Sequence, residues 1–246
     1  MTFRVLLRRF LSMSLLVAGL AAPTLGSELR QAPVAVLELF TSQGCSSCPP
    51  ADALLETLAQ RSDIVALAYH VNYWDYIGWP DTFGAEANSD YQRRYAAMRE
   101  SSRIYTPQLM INGTADVVGS READVYAAIK TATLQLPIAV SVTDDMLVVD
   151  IGARPELDDA VIWLVTYINE ASVAIERGEN AGKTIRYMHV VTDRMLAGMW
   201  EADTGAQLKL PLSKVLVAPA DGVAILVQGD EDGLPGQIIG AASYQR

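Results

Sequence analysis

Between residues 34 and 133 the chain alternates short apolar runs with segments whose apolar residues recur every three or four positions. Val34 to Phe40 (VAVLELF) reads as a buried strand, β-branched and apolar with one acid, Glu38. In ADALLETLAQR, Ala51, Leu54, Leu55 and Leu58 share one helical face. Pro49 and Pro50 just before them suit a first turn, whose N–H groups have no intrahelical partner. Ile64 to Val71 is a second buried strand, which makes a right-handed βαβ unit with parallel strands. An aromatic segment, NYWDYIGWPDTFG, precedes a predicted helix in AEANSDYQRRYAAMRES. YTPQLMINGTADVVG reads as a hairpin turning at Asn112-Gly113. From Ser120 a helix follows, with Val125, Ala128, Ile129 and Ala132 on one face. The order is β-α-β-α-β-β-α.

After Leu136 the pattern becomes short strand-like runs, PIAVSV, MLVVDIGA, AVIWLVTYI, ASVAIER, TIRYMHVV, VAILVQ and IIGAASY. Turn residues at Asp144-Asp145, Glu179 to Gly182 and Gly229 to Gly236 separate them. The expectation is an α/β domain over residues 33–135 and an all-β, sandwich-like C-terminal domain over 137–246. Leu134 to Pro137 is too short for a flexible linker, so the halves should pack together.

The N-terminus changes how the rest is read. Arg4, Arg8 and Arg9, the apolar stretch Phe10 to Ala22 and small residues near Gly26 form a secretory signal over residues 1–26. That stretch is short for a bilayer span, so no membrane insertion is expected once the signal is removed, and the location is periplasmic or secreted. Losing three arginines takes the net charge from −10 to about −13, unfavourable for nucleic acid or anionic lipid surfaces. Export also makes a structural disulfide an ordinary feature.

The only two cysteines, Cys45 and Cys48, form a CxxC between a strand and a helix. At a helix start the macrodipole favours the thiolate, and the amides of Ser47 and Cys48 are expected to be free to face the Cys45 sulfur. Cys45 then reads as the exposed nucleophile that forms a mixed disulfide, which Cys48 resolves. Parallel strands end at one sheet edge, so Cys45, Cys48, His70, Asn72, Trp74, Asp75 and Pro107 should converge there. Glu38, desolvated inside an apolar strand, is a candidate proton relay for Cys48, or a structural acid bonded to backbone or arginine. His70 could stabilise the Cys45 thiolate, ligate a metal or simply end its strand. Tyr69, Tyr73, Trp74, Tyr76 and Trp79 could line a peptide groove or fill core.

The element order resembles the thioredoxin fold. Cys45 and Cys48 match the redox CxxC, and Pro107, after Thr106, matches the cis-proline on the other side of the disulfide. More closely, ELFTSQGCSSCPPAD, ALAYHVNYWDYIGW, YTPQLMING and IERGENAGKT together resemble an exported bacterial family of thioredoxin-like fold, domain-of-unknown-function family 1223. The resemblance implies that Thr106 and Pro107 present backbone to a bound peptide. It also implies a buried acid near the position of Glu38, although Glu38 lies one residue further from the CxxC. The chain departs from well-studied oxidoreductases in having Ser46 and Ser47 between the cysteines and Gly44, not tryptophan, before them.

The expected function is an exported thiol–disulfide oxidoreductase acting on protein or small-molecule thiols and disulfides, with no cofactor and no resident metal. A redox-inactive scaffold with a closed disulfide is the second reading. A soft-metal carrier for Cu(I), using both thiols with His70 or a methionine, is the third. GENAGKT has three residues between its glycines, one short of a phosphate-binding loop, and runs into a strand. GDEDG lacks the acids of a calcium loop. Asn112-Gly113-Thr114 fits a glycosylation sequon but reads better as the hairpin turn.

Overall fold

A computed structural model describes residues 28–246, so the expected signal segment lies outside the described residues. The first half contains β1 (Glu28–Arg30), β2 (Ala35–Thr41), α1 (Pro49–Ala59), β3 (Ile64–His70), α2 (Glu86–Met98), β4 (Gln108–Ile111), β5 (Ala115–Val118) and α3 (Glu122–Thr131). The second contains β6 (Ala139–Thr143), β7 (Met146–Ile151), β8 (Ala160–Ala174), β9 (Thr184–Trp200), β10 (Ala206–Pro211), α4 (Leu212–Val215), β11 (Gly222–Glu231) and β12 (Leu234–Gln245). This is a mixed α/β fold with a large mixed sheet and few helices. No helix among the described residues is long and apolar enough to cross a membrane.

Nine strands form one sheet in the order β1-β12-β11-β8-β9-β3-β2-β4-β5, and β10-β7-β6 form a second. β2 and β3 run parallel and in register from Ala35 opposite Ile64 to Thr41 opposite His70. β4 joins β2 antiparallel, and the hairpin to β5 turns at Asn112 (φ 50°) and Gly113 (φ 70°), the left-handed pair such a turn requires. Strand alternation divides the neighbourhood of β2 in two. Ala35, Leu37 and Leu39 pack with Leu55 and Leu58 of α1 and Val125 and Ile129 of α3. Val36 and Phe40 pack with Tyr91 and Tyr95 of α2.

The large sheet is shared by the segments on either side of the expected boundary at Leu134 to Pro137, continuing from β3 to β9 through one bridge, Ala68 opposite Val190. Between the small sheet and the large one lies a core that includes Leu147, Val149, Ile162, Ile225 and Trp200. Several elements differ from the sequence reading. AVIWLVTYI and ASVAIER, read as two strands, form the single strand β8, because its ladder with β9 continues past Asn169 from Glu170 opposite Met188 to Ala174 opposite Thr184. Strand β1 is held by β12, strand β10 by β7, and the four-residue helix α4 breaks the all-β pattern.

Candidate functional site

The CxxC loop leaves β2 at Thr41 and enters α1 at Pro49, and its two cysteines are joined as a disulfide. The Cys45 N–H donates to Ser42 O (3.1 Å) and the Cys48 N–H to Cys45 O (3.2 Å). The Cys48 amide is therefore committed to the loop's own turn, contrary to the expectation that it faces the Cys45 sulfur. Closest to that sulfur among its polar contacts is the Ser47 hydroxyl, at 3.4 Å. Cys45 is 2% exposed and Cys48 0%, which corrects the expectation of an exposed nucleophile.

The cis peptide Thr106-Pro107 stands beside this loop. The Ser47 hydroxyl lies 3.5 Å from Thr106 O, and the indole N–H of Trp74 donates to Thr106 Oγ1 at 2.7 Å. Pro107 is buried, and its carbonyl accepts from Gly119 N–H. Half-buried Trp74 stacks with Tyr76, which is 80% exposed. Cys45, Cys48, Trp74, Thr106 and Pro107 are thus brought together. Asn72 is tied to Ser89, and Asp75 Oδ1 accepts from Asp81 N–H.

Glu38 is elsewhere. It shares its face of β2 with Phe40, so it points toward α2 and away from the helix that carries the cysteines. Its carboxylate accepts from Tyr91 Oη (3.0 Å) and Tyr95 Oη (2.5 Å), with Gln228 bonded to the same tyrosines. Burial raises its pKa, and Tyr95, Arg194 and Tyr91 oppose that rise. Nearby, the Arg194 guanidinium lies between the Trp163 and Tyr91 rings and donates to Gln228 Oε1. These bonds hold the Glu38 carboxylate on the α2 face, the side of β2 opposite to the one that receives α1. The period of two, not the apolar run, decided the outcome.

His70 is fully buried and presents no surface to a substrate in this conformation. Its Nδ1 lies 2.8 Å from Asp81 Oδ2. Asp81 also accepts from the Gln43 and Phe83 amides, and though burial works against it, His70 and these amides hold its carboxyl below the usual value. His70 stands opposite Thr41 across the β2–β3 ladder. The Thr41 hydroxyl donates to Asp52 Oδ1 at 2.7 Å. Asp52, in the first turn of α1, is buried, and its N–H donates to Cys48 O at 3.1 Å. Burial pushes its pKa up to about 7, against the pull of His70 and Thr41 and with a further push from Asp81. The Tyr187 ring packs edge-on against His70, 4.7 Å between centroids. Asp52 Oδ2, His70 Nε2 and Tyr187 Oη have no hydrogen-bond partner among the described residues.

Sequence reasoning missed Asp52, Asp81 and Tyr187. Asp52 was within reach of it, as an acid four residues past Cys48 on a helix whose first turn faces the sheet. Asn180 was missed as well. It lies in the segment set aside as a failed phosphate loop, yet its side chain donates to Gln43 O and Cys45 O, both at 2.9 Å. Among the described residues no group of three histidine, cysteine or carboxylate side chains has the geometry to hold a metal ion.

The sequence model of DUF1223, described as a protein of unknown function, matches residues 36–228. The X-ray crystal structure of an Agrobacterium tumefaciens protein is similar over 87% of this chain and 95% of its own, at 34% identity and a TM-score of 0.78. No curated protein matches.

Proposed function

The chain belongs to the DUF1223 family, and we propose that it is an exported thiol–disulfide oxidoreductase on a thioredoxin-like core, with Cys45 and Cys48 as its redox pair. The observation that carries this reading is the juxtaposition of a disulfide at a strand-to-helix junction with the cis Thr106-Pro107 loop, bridged by Ser47. The strand order β3-β2-β4-β5, with α1 and α3 packed on one face and α2 on the other, supports the core assignment.

In the oxidising direction a partner thiolate attacks Cys45 Sγ. An S–S bond forms to the partner as the Cys45–Cys48 bond breaks, and the electron pair leaves on Cys48 Sγ. A second thiolate of the partner then attacks the mixed disulfide and releases Cys45, so the partner loses two electrons and the protein gains two. The Asp52 carboxyl, one helical turn beyond Cys48, supplies the proton for the departing Cys48 sulfur. In reverse, its carboxylate takes that proton so that Cys48 can resolve the mixed disulfide. An acid with a pKa of about 7 suits both directions near neutral pH. Trp74 and exposed Tyr76 form the aromatic surface on which a partner segment rests beside Thr106 and Pro107.

Equilibration with glutathione buffers, with alkylation of Cys45 followed across pH, tests this. A pair that equilibrates, with Cys45 titrating well below about 8.5, fits the reading. A bond that stays closed in strongly reducing buffer is the result expected of the second reading, a scaffold whose disulfide is structural. The burial of both cysteines is the observation in its favour.

A further inference from the structure

Strands β8 and β9 form a long hairpin of the C-terminal half, and its tip reaches the CxxC loop of the N-terminal half. From Glu176 to Thr184 every residue but one is exposed. The exception is Asn180, 1% exposed and turned inward. Its Nδ2 donates to Gln43 O and to Cys45 O, while its Oδ1 accepts from Lys183 Nζ at 2.8 Å, which fixes the amide's orientation. Backbone bonds from Ile175 N–H to Lys183 O and from Gly182 N–H to Ile175 O close the tip, with Gly178 (φ 77°) and Gly182 (φ 81°) in left-handed conformations.

The same loop is held from a second side. Trp79 Nε1 donates to Gln43 Oε1 at 2.8 Å, and a Cβ on Gly178 would lie 3.2 Å from Trp79 Cβ, so tip and aromatic segment are in close contact. Ile175, Ile185 and Tyr187 pack with Trp79 and Phe83 in a small core of their own beneath the hairpin. The tip is therefore seated by two buried amide hydrogen bonds and a local apolar cluster, independent of the main cores.

We infer that Asn180 is a positioning residue of the redox site: the β8–β9 tip straps the Cys45 segment, and a partner must displace it to reach the sulfur. The inference builds on the redox reading and gives the C-terminal half a role in it, as the element that sets access to the disulfide. Because the strap acts on backbone carbonyls, its release exposes Cys45 without unfolding either core.

Reduction by dithiothreitol measures access directly. One dithiothreitol thiolate attacks Cys45 Sγ, and the Cys45–Cys48 bond breaks with its electron pair on Cys48 Sγ. The second thiol closes the reagent's ring and releases Cys45, so the reagent loses two electrons and the protein gains two. Asn180→Ala and Asn180→Asp both remove the two donors. Each is expected to speed reduction at least about tenfold, the opening equilibrium released by two hydrogen bonds. Leu147→Ala, in the core beneath the small sheet, is the control for general loosening. The inference fails if both Asn180 variants reduce within about twofold of the unmodified protein. It fails equally if Leu147→Ala, matched for stability by urea unfolding, accelerates reduction as much. Equilibration of the same three proteins with glutathione reads the redox function separately. Faster reduction in the Asn180 variants with no glutathione exchange in any of them would sustain the strap and overturn the oxidoreductase reading.

Discussion

Glu38 and Asp52 are both buried carboxylates, one on strand β2 beneath α2 and the other in the first turn of α1, and their surroundings differ in kind. Glu38 has both oxygens occupied by tyrosine hydroxyls, with Arg194 nearby. Asp52 has one oxygen bonded to Thr41 and the other free among the described residues. Both faces keep unpartnered polar atoms, but beside Glu38 these are Tyr69 Oη and Arg194 Nε, whereas beside Asp52 they include the carboxylate itself. A carboxylate with both oxygens bonded to buried hydroxyls fixes structure. One with a free oxygen and a pKa pushed up to about 7 can exchange a proton during a reaction. Burial alone does not separate the two; satisfaction does.

The strongest way to break this comparison is Glu38→Ala. It removes the carboxylate that Tyr91 and Tyr95 share and leaves the Arg194 charge without a buried counterpart, so urea unfolding should show a loss of about 3–5 kcal/mol. The glutathione equilibrium of the cysteine pair should not move. A shifted redox equilibrium at unchanged stability would return Glu38 to the redox site.

Asp52→Asn sharpens it from the other side. The Asp52 pKa rises from 3.8 to about 7 on folding, so across that window the folded chain holds a proton that the unfolded chain has released. Stability contributed there is lost as pH rises from about 4 to 7 and stays lost above. The variant should therefore be more stable than the unmodified protein at pH 8, by roughly 2–4 kcal/mol, with the advantage shrinking as pH falls toward 4. Its thiol exchange near neutral pH should slow by about a hundredfold. Equal exchange rates would remove Asp52 from the proton path.

The smallest effect is expected of Tyr187→Phe. Its hydroxyl is buried and has no partner among the described residues, so deleting it should change stability by no more than about 1 kcal/mol in thermal unfolding. A loss well beyond that would mean the hydroxyl is bonded, which would narrow the contrast between the two sides.

Much of the site was legible because its cues are local. The CxxC before two prolines, the Thr106-Pro107 pair and the Asn112-Gly113 turn each follow from the conformations these residues favour. Trp74, which the rule that parallel strands end together sends to the same edge, bonds Thr106 Oγ1 there. His70 lies at that edge too, but Asp81 folds back from the loop that follows β3 and Tyr187 arrives from β9, and together they bury it. Glu38 failed because an apolar run with acids on neither flank does not reveal which of its two faces receives α1.

By itself the sequence determined the alternation of strands and helices in the first half, most of the strands and turns of the second and the position of the cysteine pair. These depend on side-chain period, proline and glycine geometry, and spacing within a few residues. Only the tertiary structure decided that one sheet joins both halves, that Asp81 and Tyr187 enclose His70, and that Asn180, 132 positions beyond Cys48, bonds the carbonyls of the CxxC loop. Those outcomes rest on which faces meet and which buried polar atoms find partners across the chain, and such pairings leave no local periodic trace.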